Sequence, residues 1–287
     1  MRDLTESNLT DTVIAQIDRG ADARFTRVAA TLIRHLHAFV RETELTEAEW
    51  FAGIQFLTAT GHKCDGQRQE FILLSDALGV SMLVDAINHR KPDGASQTTV
   101  LGPFYLPGAP EVPLWTDIAH DLAGVPTYFS GRVLDVGGAP IAGAVLDVWQ
   151  TDSDGFYDVQ RPGGARYARG RLTTGADGRY GFRTVKPVSY SIPTDGPVGT
   201  MLAAMGRHPL RPAHVHLIVS APGYAPVTTH LFVKGDPYLD TDAVFAVKES
   251  LIVDFEDHAP GPAPDGEDCP QPFCTATYDF RLVRQPG

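Results

Sequence analysis

The chain has 287 residues, 43% of them apolar, enough to bury one large core or two modest ones without disulfide staples. Its formal net charge is −11, with 24 Lys and Arg against 35 Asp and Glu in no long basic block; this argues against a nucleic-acid partner, because neutralising phosphates takes clustered positive charge. Three cysteines, a start (Met1 to Glu6) with no apolar signal core, and no run of about 18 apolar residues predict a cytoplasmic protein with a reduced interior and no membrane span.

From Leu9 to about Arg90 apolar residues recur at helical intervals: Val13, Ile14 and Ile17, then Phe25, Val28, Ala29, Leu32, Ile33, Leu36 and Phe39. Thr46 and Glu49 make a capping box, with Leu45 and Trp50 placed as a hydrophobic staple, so a helix should start there and run to about Thr60. Gln69 to Asn88 reads as a further helix or two with a break near Gly79. So many apolar faces in so few helices call for a buried partner surface.

Past Lys91 the composition changes. Pro92, Pro103, Pro107, Pro110 and Pro113 mark an extended connector, after which a two-residue period takes over. Tyr128 to Val136 and Ile141 to Gln150 flank a hairpin signal at Gly137-Gly138-Ala139-Pro140. Further strands are predicted at Arg171–Thr174, Arg179–Val185, His214–Ser220, Val227–Val233 and Thr275–Val283. The pattern predicts a mixed α and β chain: a helical region over residues 1–100, then an antiparallel β-sandwich domain over 101–287. Residues 151 to 170 and 186 to 211 read as long loops, and loops of that length in a compact domain are usually functional. Asp257 to Pro272 reads as an acidic, Pro-rich extended loop.

On a strand, His214 and His216 project from the same face, where two neutral imidazoles can share a metal ion or simply hydrogen-bond. The pair alone does not choose. Tyr157 and Tyr190 sit in the long loops, where a tyrosine most often anchors the loop by its ring. Leu101-Gly102-Pro103-Phe104-Tyr105, the run Gly131 to Tyr157 with Val148-Trp149-Gln150, the Pro187-Val188-Ser189-Tyr190 turn, and Arg211-Pro212-Ala213-His214-Val215-His216 together resemble the intradiol ring-cleaving dioxygenases. Four separated motifs in the same order make the resemblance specific, and it covers most of the chain up to about Phe255.

The resemblance implies a non-haem Fe(III) held by Tyr157, Tyr190, His214 and His216. The donor chemistry agrees: a hard trivalent cation favours anionic oxygen, and its charge can keep phenolates ionised although a free tyrosine titrates near about 10. By the same likeness the substrate is an aromatic ortho-diol or triol opened by O2 between its two hydroxyl-bearing carbons. Tyr190 would also take a diol proton, and Arg211 would stabilise charge developing on the ring and contact the substrate. The loop after Tyr190 and the stretch from Gly235 to Leu251 are most similar to the hydroxyquinol 1,2-dioxygenases, with catechol or chlorocatechol cleavage as the alternative. In that group the pocket is lined by residues matching Leu73, Asp76, Val100, Leu101, Gly102, Pro103, Phe104, Ile192 and Pro193, and Asp76 could accept a hydrogen bond from a third hydroxyl. The likeness further implies a homodimer through the helical region, with a phospholipid often held at that interface, and it leaves His230 as a neighbour of the metal. Two other classes fit part of the pattern. One is a zinc hydrolase using His214 and His216, which would lack an HExxH helix; the other is a non-catalytic sandwich that binds partners through its loops.

Overall fold

The computed structural model describes residues 2–17, 22–66, 68–161 and 166–285. The chain divides into two compact units, residues 1–59 and 60–287. The division falls inside a helix, upstream of the composition change past Lys91. In the first unit, α1 spans Leu9–Ala15 and α2 spans Ala23–Glu42, and α3, Glu47–His62, runs across the division. Asp22 starts α2 by accepting the Phe25 N–H at 2.7 Å. At the head of α3, Glu49 Oε2 accepts the Thr46 N–H at 3.0 Å while Thr46 Oγ1 accepts the Glu49 N–H at 3.3 Å, the reciprocal box read from the sequence. Only Ala30 of α2 is buried; Phe25, Val28, Leu32, Leu36 and Phe39 form an exposed apolar stripe.

The second unit opens with α4, Glu70–Ala77, and α5, Val80–Asn88, which separate at the expected Gly79. Ten of its strands come in two five-stranded sheets. One contains β1, Pro126–Asp135; the other begins with β2, Val145–Trp149, and β3, Arg169–Thr173. Next come β4, Arg179–Val185, the short β5, Tyr190–Ser191, then α6, Pro197–Ala204, and β6, Leu210–Arg211. The long strands β7, His214–Ser220, and β8, Val227–Val233, precede β9, Ile252–Val253, and β10, Phe255–His258. A short pair, β11 (Gly261–Pro262) and β12 (Asp268–Cys269), leads to β13, Phe273–Thr277, and β14, Phe280–Leu282. The first sheet runs β10-β13-β1-β14 with β4 on the other side of β1, and the second runs β3-β2-β7-β8-β9. One buried cluster draws Phe129, Phe182 and Phe280 from the first sheet and Val148, Leu217 and Leu231 from the second.

Four sequence expectations need correction. The sheets are mixed rather than antiparallel: β1 pairs in parallel with β13 and β14, and β8 with β9. These partners are joined by long excursions, and only a tight hairpin forces neighbouring strands to run in opposite directions. The hairpin signal at 137–140 does make a turn, with the Asp135 N–H on the Ala139 carbonyl at 2.8 Å, but β1 and β2 then go to different sheets. The single strand expected over Thr275–Val283 breaks in two, because Tyr278 lies against Gly131 so closely that a Cβ there would come within 1.9 Å of its carbonyl oxygen. Finally, the stretch 186–211 is not all loop. It holds β5, α6 and β6, its Pro and Gly residues placing Pro197 at the helix start, where a missing N–H costs nothing.

Candidate metal centre and substrate pocket

β7 supplies two imidazoles from one face, since its period of two puts His214 and His216 side by side, Nε2 to Nε2 3.1 Å apart. His214 Nδ1 donates to the Pro212 carbonyl at 2.6 Å, which fixes the tautomer and leaves the Nε2 lone pair free. The His216 ring is held by Trp149, its cross-strand partner on β2, stacked at 4.7 Å and 14°. Two phenols reach the same point from the loops. Tyr157 Oη lies 2.6 Å from His216 Nε2 and 3.0 Å from Tyr190 Oη. All four side chains are buried.

Local structure explains how loop tyrosines are placed so firmly. Tyr157 donates its N–H to Gln160 Oε1 at 2.9 Å, its ring stacks on Phe104 at 4.5 Å, and the next residue, Asp158, pairs with Arg169 at 2.6 Å inside the protein. The turn before it needs Gly155, at φ +83°, because a Cβ there would lie 2.9 Å from the Cβ of Tyr190. Tyr190 enters through β5, which pairs with β6 at Arg211. Asp236 ties both approaches together: its Oδ2 accepts from Ser189 Oγ at 2.5 Å and from the Ala213 N–H at 2.9 Å.

Burial sets the electrostatics. It pushes His214 down to about 3, with the Arg211 charge adding to the effect, and drives His216 and His230 well below the usual histidine value, so these imidazoles are neutral at pH 7. Burial likewise raises the Tyr157 phenol well above its ordinary value, and Tyr190 beside it adds to that. A cation beside the Tyr157 oxygen would favour its ionisation. Two convertible phenolates and two imidazoles with lone pairs inward, all buried, fit a hard metal ion.

Arg211 is buried against this cluster. Its Nη1 is 3.4 Å from Tyr190 Oη and 3.3 Å from His214 Nε2, while Nε meets Asp242 Oδ1 at 3.1 Å. Asp242 also accepts the Ala246 N–H at 3.0 Å; burial opposes its ionisation, but Arg211 holds it below the ordinary aspartate value. Of the expected pocket residues, Leu73, Asp76 and Ile192 are buried, Val100 and Pro193 are half-buried, and Leu101 and Pro103 are exposed. Gly102 lies against the His216 ring. Asp76 feels the charges of Arg211 and Asp242, and burial raises its pKa.

The sequence reading gave no role to Asp158, Arg169, Asp236 or Asp242; Asp236 and Asp242 act through Ser189 and Arg211, 47 and 31 residues away. His230 it named only as a neighbour. On β8 His230 stands opposite His216, and a nitrogen from each of His214, His216 and His230 falls within 4.8 Å of the others. His230 Nε2 has no hydrogen-bond partner among the described residues.

A dioxygenase family model matches residues 100–284, and a model of the catechol dioxygenase N terminus matches residues 22–96. The chain belongs to the intradiol ring-cleaving dioxygenases. Among curated members of this family, it is 54% identical to a hydroxyquinol 1,2-dioxygenase of Rhizobium sp. over 88% of this chain and 86% of that one. It is 52% identical to a 6-chlorohydroxyquinol 1,2-dioxygenase of Cupriavidus pinatubonensis over 89% and 93% of the two chains. A solved hydroxyquinol 1,2-dioxygenase from Pseudomonas putida superposes with a TM-score of 0.90 at 51% identity, covering 98% of this chain and 99% of that one. As an intradiol dioxygenase the chain is a metal-dependent enzyme that acts on aromatic diols with O2. No helix among the described residues is long and apolar enough to cross a membrane.

Proposed function

We propose that this chain is an iron(III) hydroxyquinol 1,2-dioxygenase, opening benzene-1,2,4-triol with O2 to 3-hydroxy-cis,cis-muconate, which tautomerises to maleylacetate. The observation that carries the reading is the meeting of the Tyr157 and Tyr190 oxygens with the His214 and His216 nitrogens. The high identity to hydroxyquinol-cleaving relatives over nearly the whole chain supports the choice of substrate.

Tyr157, Tyr190, His214 and His216 would hold the metal. Bound there, iron(III) would take up both diol oxygens and draw electron density from the ring, so that a ring carbon becomes open to dioxygen. The chain's own residues do the rest. Tyr190 Oη receives a proton from the incoming diol. Arg211, permanently charged and aimed by Asp242, stabilises negative charge as it develops on the ring. Leu73, Ile192 and Pro193, with Val100, Leu101, Gly102, Pro103 and Phe104, wall an aromatic ring and keep water from it. Asp76 accepts from the third hydroxyl, the group that catechol lacks.

The same reading takes the two sheets as the layers of a β-sandwich over residues 101–287. It takes residues 1–100 as a helical region that pairs with a second copy, a phospholipid lying at that interface, and it places the enzyme in the cytoplasm. The exposed apolar stripe of α2 supports the pairing. A second reading, a zinc site of three imidazoles, is favoured by the approach of His230 to His214 and His216.

Metal analysis, visible spectroscopy and oxygen uptake test the proposal together. Protein purified without added metal should carry about one iron per chain and a broad visible band from phenolate-to-iron charge transfer. Tyr157→Phe and Tyr190→Phe should each weaken that band and lower kcat/KM by at least about 100-fold. Zinc in place of iron, or a colourless iron-loaded protein, refutes the ligand set. Faster turnover of catechol than of the triol refutes the substrate.

A further inference from the structure

The proposed pocket lies between α4, which carries Leu73 and Asp76, and the segment 191–196, which carries Ile192 and Pro193. Backbone pairing fixes the start of that segment: β5 joins β6 at Tyr190–Arg211 and Ser191–Leu210, and the Ile192 N–H donates to the Pro209 carbonyl at 2.9 Å. Its far end runs into α6, and there the fixing is electrostatic. Pro197 at the start of α6 has no N–H and Gly196 before it has no side chain to cap the helix, so the Val198 N–H is the first donor left over. Glu70 of α4 meets it, Oε1 at 3.2 Å, which sets a carboxylate at the positive end of the α6 dipole.

Glu70 is fully buried, and Arg68 closes on its other oxygen with Nε at 2.8 Å and Nη2 at 2.7 Å. Arg68 Nη1 continues to Asp195 Oδ1 at 2.5 Å, and Lys63 Nζ meets Asp195 Oδ2 at 2.9 Å. The outer pairs are weak anchors, since the Asp195 side chain is 66% exposed and water competes for it. The inner contact is the strong one. Glu70, Leu73, Asp76 and Ala77 share the buried face of α4, so the group that clamps α6 is rigidly connected to the carboxyl proposed to meet the third hydroxyl.

We infer that Glu70 is a positioning residue for substrate choice: by capping α6 from a neighbouring helix and pairing with Arg68, it sets the distance between Asp76 and the Ile192-Pro193 wall. This rests on the reading of the site as a triol pocket. Losing the clamp lets α4 shift against segment 191–196. The third hydroxyl then loses its partner, while Tyr157, Tyr190, His214 and His216, held by β5, β7 and their own bonds, stay in place. The damage falls on discrimination rather than on chemistry.

The test compares iron-loaded wild type, Glu70→Ala and Glu70→Gln for kcat and KM on benzene-1,2,4-triol and on catechol, with thermal midpoint and visible band recorded for each. Glu70→Ala should lower the triol-to-catechol ratio of kcat/KM about tenfold, mainly through the triol KM, with the band unchanged. Glu70→Gln keeps an acceptor for the Val198 N–H but loses the charge pair, and should lower the ratio about threefold. Equal loss on both substrates in a folded Glu70→Ala protein overturns the inference, because a merely structural role would act on both alike. If Glu70→Ala does not fold, Glu70→Gln decides: a lowered ratio supports the inference, and an unchanged ratio beside a lowered midpoint overturns it. A wild type that is colourless, or inactive on both diols, is instead a failure of the functional reading and is seen before any variant is compared.

Discussion

Asp242 and Asp76 are two buried aspartates near one arginine, and their environments push them in opposite directions. Arg211 holds Asp242 below the ordinary aspartate value against the cost of burial, so its contribution to stability is present above that ordinary value and is lost as pH falls through the lowered one. Asp242→Asn strands a buried guanidinium and should cost about 3–5 kcal/mol at neutral pH, a gap that closes in acid when unfolding is followed by denaturant titration. Asp76 has the reverse sign. Burial raises its pKa, so the fold favours the neutral carboxyl and stability is lost as pH rises through the raised value. Asp76→Asn should therefore be more stable than wild type at neutral pH and no more stable in acid, while losing preference for the triol. At this scale the sequence was readable where chemistry is local. The pairing of His214 with His216 follows from strand period, whereas Tyr157 and Tyr190 could be joined to them only through resemblance to a known family. Asp242 was illegible because its role depends on Arg211 reaching it across the fold.

Among the elements, regular strands with clear alternation were read with their ends intact, as at Arg179–Val185, His214–Ser220 and Val227–Val233. What misled was a glycine or proline whose meaning depends on a distant neighbour. Gly131 is the clearest case. It looks like a weak point inside β1, yet it leaves room for the Tyr278 carbonyl at the break between β13 and β14, and the Arg132 N–H just after it donates to Asp279 Oδ1 at 2.8 Å. Gly131→Ala should destabilise the second unit by on the order of 3 kcal/mol or more, since the Cβ would meet backbone that has no room to yield. Thermal unfolding of the metal-loaded protein measures it. α6 was missed for a related reason: its first residues are Pro and Gly-flanked, and the acceptor that makes the helix start viable is supplied by Glu70, not by its own sequence.

For the molecule as a whole, the α2 stripe of Phe25, Val28, Leu32, Leu36 and Phe39 is the exposed surface that the proposed pairing would cover. Wild type should sediment at twice the chain mass, and Leu32→Glu combined with Leu36→Glu should give a monomer that keeps its iron band. The periodicity of this stripe was visible in the sequence, but ordinary packing would have written the same pattern. The topology of the first sheet has a different consequence. Arg132 on β1 and Asp279 are 147 residues apart, and the strands that close this edge, β13 and β14, are made long after β1. A ribosome must therefore release the 147 residues that separate Arg132 from Asp279 before that edge is covered. Until then β1 offers unpaired peptide groups to other nascent chains, which makes slow maturation and a need for chaperones during overexpression the expected behaviour.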